Sequence, residues 1–171
     1  IGGAIVFLGG LLDDIYDLPA KVKLLFQVLG AIAALFIGNL SLDRLHILSF
    51  EIDNPIIVRA FSFLWLVGVT NAINLVDGLD GLSSGICAIV TATTGLLGFF
   101  MGRRDICMMA LALDGAILGF LPYNFHPASI FVGDCGAQFM GFTIAAMSLL
   151  GFKTTALITL GLPMLVLFIP I

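Results

Sequence analysis

The chain has 171 residues, of which 60% are hydrophobic and 11% charged, with a mean hydropathy of +1.18. Soluble domains carry roughly 25% charged residues, so an isolated soluble domain is excluded. The net charge of -4 excludes a nucleic-acid partner, which needs a basic face. What remains is a polytopic all-α bundle in a lipid bilayer, in one domain.

In chain order, apolar stretches bounded by charge or turn residues are read as crossings. Ile1 to Leu12 is too short to span and reads as the tail of a helix. Six full spans follow: Val22–Leu40, Ala60–Val76, Leu82–Met101, Ile106–Pro122, Gly136–Gly151 and Thr154–Ile171. The sequence starts without Met and stops inside apolar residues, so the reading expects a piece of a longer chain, residues 1–171 forming a single membrane domain. Residues 41–59 alternate apolar and polar residues, which fits either a short hairpin turning at Asp53-Asn54-Pro55 or a surface loop. Cys87, Cys107 and Cys135 match no disulfide or metal spacing and are read as free thiols.

Alternating crossings place every connection on one of two sides. One side gathers Asp13, Asp14, Asp17, Asp77, Asp80 and Asp134 against Lys21 and Lys23; the other holds five bases and four acids. Two carboxylates ~4 Å apart repel by about 4 kcal/mol at an effective dielectric of 20, so close gathering calls for a cation. Hard oxygen donors point to Mg²⁺, which binds one or two carboxylates together with phosphates.

Adjacent residues on a helix point about 100° apart, so Asp13 and Asp14 serve different partners. Lys21 and Lys23 are either interfacial anchors or phosphate ligands. In Asn71-Ala-Ile-Asn74-Leu-Val-Asp77-Gly78-Leu79-Asp80-Gly81-Leu82, polar groups recur every three residues where a span leaves the membrane. Packing alone does not account for that string, although Asn71 by itself would suit a helix–helix hydrogen bond. Phe131-Val-Gly-Asp134-Cys-Gly136 puts glycines on both sides of an acid, as in an anion nest. Phe131 fits either a membrane-interface aromatic or a base-stacking platform. His126 reads as a core or interface histidine. Asp114, deep in a span, is protonated, paired or functional.

These strings, with Asp17-Leu-Pro-Ala-Lys21-Val-Lys23 and Tyr123-Asn124-Phe-His-Pro127, resemble the polyprenyl-phosphate N-acetylhexosamine-1-phosphate transferases of glycosyltransferase family 4 type. The wording is nearer the undecaprenyl-phosphate N-acetylglucosamine-1-phosphate branch than the phospho-N-acetylmuramoyl-pentapeptide branch, which is the alternative. The resemblance implies UDP-N-acetylglucosamine and undecaprenyl phosphate as substrates, Mg²⁺ as cofactor, and a bacterial plasma membrane location with the acidic face in the cytoplasm. A count of basic residues alone would put the other side there. A homodimer is compatible with the resemblance.

By position, the resemblance makes Asp134 the metal ligand and gives Asp13 and Asp14 the lipid phosphate. Asn74, Asp77 and Asp80 would order the diphosphate and uridine side. Gly78 and Leu79 would wall the nucleotide pocket, Phe131 would stack on uracil, Lys21 and Lys23 would meet phosphate, and Asn71 and Asn124 would be polar partners. The family usually has Gly-Asp-Thr-Gly-Ser and then an apolar residue, where this chain has Gly133-Asp134-Cys135-Gly136-Ala137 and Gln138. The resemblance also implies earlier helices and a later His-rich loop, so these 171 residues alone are expected to show little turnover. A cation pathway through the acids, or a structural subunit, are the competing readings.

Overall fold

The structure is a computed structural model that describes residues 1–42, 45–47 and 50–151. Six helices follow in order: α1 (Gly2–Tyr16), α2 (Ala20–Phe36), α3 (Pro55–Val76), α4 (Leu82–Phe100), α5 (Arg104–Asn124) and α6 (Gly133–Gly151). Between α2 and α3, β1 (Leu45–Ile47) pairs antiparallel with β2 (Phe50–Ile52), Leu45 opposite Ile52.

Three helices are long and apolar enough to cross a membrane, namely α3, α4 and α5, fewer than the six full spans expected. The reason is local. α1 has 15 residues and α2 has 17, about 22 and 26 Å at 1.5 Å per residue. α6 has 19 residues, but its first turns contain Asp134 and Gln138. The expected span at Thr154–Ile171 lies outside the described residues.

Boundaries also move. Asp53-Asn54-Pro55 is not the hairpin turn, because it follows β2 and starts α3. Asn54 Oδ1 accepts a hydrogen bond from the Ile56 amide at 3.0 Å, and Pro55 opens the helix where no donor is needed. α5 runs through Pro122 to Asn124. α6 begins three residues before the expected span, so Asp134 stands on its first turn.

The core is built from small and branched side chains, among them Val6, Ala31, Leu66, Ile73, Cys87, Ala110, Ala145 and Met147. α1 lies against α2 and α6, α3 against α6, and α4 against α5. Without a hydrophobic drive between helices in lipid, such contacts depend on close backbone approach at small residues. Gly10 shows the limit: a Cβ there would stand 2.5 Å from Cys135 Cα. Many large apolar residues face outward, including Leu64, Ile89, Phe99, Phe100 and Met108, as a lipid-facing surface requires.

Candidate active site

The alternating path brings the ends of α1, α3 and α5 and the starts of α2, α4 and α6 to one end of the bundle. α1 ends because Asp17 adopts a left-handed conformation (φ 51°), its amide bonding back to Asp13 O. Asp13 Oδ1 then accepts the Leu18 amide at 2.8 Å, fixing the turn into α2.

Asp13 and Asp14 do have different partners. Asp13 is buried, and its Oδ2 lies 2.5 Å from Lys23 Nζ. Asp14 accepts from the amides of Asp134 (2.7 Å) and Cys135 (3.0 Å), so one carboxylate closes the exposed donors at the start of α6. Gly133 makes room for it. Its φ of 68° is one that L side chains rarely adopt, and a Cβ there would meet Asp14 Oδ2 at 2.8 Å.

Asp134 is the centre of the arrangement. Lys23 Nζ donates to its Oδ2 at 2.7 Å and Asn74 Nδ2 donates to its Oδ1 at 3.1 Å. Burial opposes its charge, but hydrogen bonds from Asp13, Lys23 and Asn74 outweigh burial and hold the carboxyl below its usual range. Asp13 moves the opposite way: burial and then the Asp134 carboxyl push it up, against the pull of Lys23. Lys23 is thus an ammonium shared between two acids.

A cleft of about 270 Å³ opens beside this group. Asp14, Asp77, Asp80 and Asp134 line it with Gly78, Leu79, Asn124 and Phe131, and Val132 and Gly133 complete the wall. Asp77 accepts a short hydrogen bond from Ser83 Oγ on α4. Its carboxyl is pushed up by burial first and further by Asp134 and Asp14, against the Ser83 bond. Asp80 accepts from the Ala128 amide (3.1 Å) and pairs with His126 Nδ1 (3.0 Å), which lower it. Asn124 is buried: Ser84 Oγ donates to its Oδ1 at 2.8 Å, and its Nδ2 donates to Ile130 O at 3.1 Å. Leu79 and Phe131 are 70% and 73% exposed, apolar surfaces facing an otherwise acidic hollow.

Other expected residues lie elsewhere. Lys21 is exposed and outside the cleft lining, and Asn71 points into the bundle, donating to Gln27 Oε1 at 2.5 Å. His126 is not a core residue; its side chain is 81% exposed, and its Nδ1 lies 3.0 Å from Asp80 Oδ2. Asp114 is paired inside the bundle, where Thr91 Oγ1 lies 2.9 Å from its Oδ1. Ser83, Ser84 and Gln27 went unnoticed in the sequence. Two serines directly after Asp80-Gly81-Leu82 and a glutamine inside an apolar span were the signals available.

The fold and site thus define a helical membrane protein with a cleft at one bundle end, lined by carboxylates, amides and two apolar platforms. Comparison with known proteins gives the class a family. The model for glycosyl transferase family 4 matches residues 1–152, and the chain belongs to that family. It is 40% identical, over 100% of its own length and 48% of the relative's, to the probable undecaprenyl-phosphate N-acetylglucosaminyl 1-phosphate transferase of Bacillus subtilis (strain 168). It is 33% identical to the phospho-N-acetylmuramoyl-pentapeptide-transferase of Streptococcus pneumoniae (strain CGSP14), over 90% of this chain and 49% of that one. For the transferase of the same description from Listeria monocytogenes serotype 4b (strain F2365), the figures are 37%, 85% and 46%. The chain spans about half the length of the curated relatives it matches.

Proposed function

We propose that the protein containing this chain transfers N-acetylglucosamine 1-phosphate from UDP-N-acetylglucosamine to undecaprenyl phosphate. The products are undecaprenyl-diphospho-N-acetylglucosamine and UMP. The reaction is placed at the cytoplasmic face of a bacterial plasma membrane, where nucleotide sugars are made. One observation carries the reading: carboxylates from α1, the α3–α4 turn and α6, more than fifty residues apart in sequence, meet in one cleft at the end of an apolar helical bundle. The identity to the Bacillus transferase favours N-acetylglucosamine over the muramoyl-pentapeptide substrate, which is the alternative within the family.

The donor set suits Mg²⁺. Among the described residues no three His, Cys, Asp or Glu side chains form a ready-made metal cage. Mg²⁺ keeps several waters and takes one or two carboxylates plus substrate phosphates, and Asp134 with Asp77 across the cleft supplies oxygen donors of that kind. When bound, the ion would neutralise charge on the diphosphate as the phosphoryl group moves.

The chain's own residues do the positioning. Lys23 and Asn74 fix the Asp134 carboxylate, and Asp14 fixes the helix start beneath it. Asn124, held by Ser84, presents a rigid amide edge at the cleft. Phe131 offers an exposed ring for uracil, with Gly78 and Leu79 as the facing wall. Asp13, buried against Lys23, orients that lysine, and the role assigned to Lys21, exposed at the start of α2, is to meet the lipid phosphate outside the cleft.

The test is UMP release from UDP-N-acetylglucosamine by the full-length protein in undecaprenyl phosphate micelles, with and without Mg²⁺. Asp134→Asn is expected to lower kcat by about 100-fold or more, as loss of a metal ligand does. Full turnover in that variant, or turnover in the presence of a chelator, would reject the assignment.

A further inference from the structure

One helical turn deeper in the bundle, the site is repeated in uncharged form. Gln27 is four residues after Lys23 on α2, Asn71 three before Asn74 on α3, and Gln138 four after Asp134 on α6. At 1.5 Å per residue each lies about 4.5 to 6 Å below its counterpart and on the same helix face. Upstairs, lysine and asparagine both donate to Asp134. Downstairs, Asn71 Nδ2 donates to Gln27 Oε1 at 2.5 Å, and Gln27 Nε2 donates to Gln138 Oε1 at 3.3 Å.

Gln27 and Gln138 are 1% and 0% exposed. Among the described residues, Asn71 to Gln27 is the one side-chain hydrogen bond joining α2 to α3. Gln138 also leaves its Nε2 without a partner among them. A buried donor left unpaired is unfavourable, so an apolar residue at this position would serve packing better. Its amide earns its place through Gln27.

Resting on the functional reading above, we infer that Gln138, acting through Gln27 and Asn71, is a positioning residue. The amide layer sets the relative heights of α2, α3 and α6 and so holds Lys23 and Asn74 on Asp134. Hydrogen bonds fix this register where apolar side chains in lipid would allow sliding, as buried polar groups do in helix assemblies.

The variants are Gln138→Met and Gln27→Met, which keep side-chain length and remove the amide, and the double variant, all in the full-length protein. Gln138→Met is expected to lower kcat by about tenfold or more, as loss of an outer partner of a ligand does, with KM for UDP-N-acetylglucosamine changed less than kcat because no cleft-lining residue is replaced. Its thermal midpoint stays at the wild-type value or rises, since the orphan donor goes with the amide. The double variant costs no more than Gln27→Met alone, because the residues act as one unit. An unchanged kcat, or a fall in kcat matched by a fall in midpoint, would overturn the inference. If the wild type releases no UMP, the functional reading fails separately. Spin labels on exposed Leu25 of α2 and Leu75 of α3 then decide: a distance distribution broadened by Gln27→Met upholds the register role, and an unchanged one removes it.

Discussion

Substitution of Gly10 by alanine isolates the contact on which the site depends. A Cβ on Gly10 would sit 2.5 Å from Cys135 Cα, 2.7 Å from Cys135 N and 2.8 Å from Asp134 O. All three are backbone atoms, so no side chain can swing aside; α1 and α6 must separate by about 1 Å to restore ordinary contact, at about 1–3 kcal/mol for overpacking. The same separation pulls Asp14 away from the Asp134 and Cys135 amides, now at 2.7 and 3.0 Å. Losing that cap adds about 1 kcal/mol and tilts Asp134 out of line with Lys23. Thermal unfolding in detergent, paired with UMP release, reads both effects. Gly115→Ala and Gly119→Ala are the controls, since a Cβ at either meets nothing within 4 Å; in mid-helix they are expected to be neutral or stabilising by up to about 1 kcal/mol. A Gly10→Ala protein as stable and as active as these controls would refute the reasoning.

Further outcomes follow from the charges. Lys23→Met leaves Asp13 and Asp134 facing each other without their shared cation, and is expected to cost about 3 kcal/mol and to abolish turnover. Asp77→Asn removes a carboxylate whose folded value is raised by burial. Such a group opposes folding once pH exceeds its unfolded value, so the variant should be more stable than wild type at neutral pH and less active; a lower midpoint would contradict this. Asp80 is lowered by the Ala128 amide and then by His126. Its contribution is therefore full above its unfolded value near 4 and lost as pH falls through the lower folded one. Asp80→Asn should flatten the acid limb of the stability–pH curve, and an identical limb would count against the pairing.

Much of the site could be read from the residues before any fold was known. Three glycine-flanked acidic strings at the ends of apolar runs placed Asp14, Asp77, Asp80 and Asp134 on one side, because alternating crossings have only two sides to offer. The resemblance to the transferase family added Gly78, Leu79, Asn124 and Phe131, all of which line the cleft. Boundaries were less legible. A hydropathy run does not register that Asn54 and Pro55 start a helix five residues before the apolar stretch, or that Asp134 belongs to a helix turn.

The sequence by itself determined a membrane bundle with six of its eleven acids gathered at one end, since burial of apolar residues and the cost of charge in lipid act on composition and order alone. Only the tertiary structure decided what each group does there. It gave Lys23 to Asp13 and Asp134, turned Asp14 onto the start of α6, and left Lys21 outside the cleft. It also joined Gln27, Asn71 and Gln138 into one layer. Apart from Lys23 with Asp13, those pairings span from 44 to 121 residues of sequence, and hydrogen bonds at 3 Å depend on the packing and height of whole helices, a property no local stretch of residues contains.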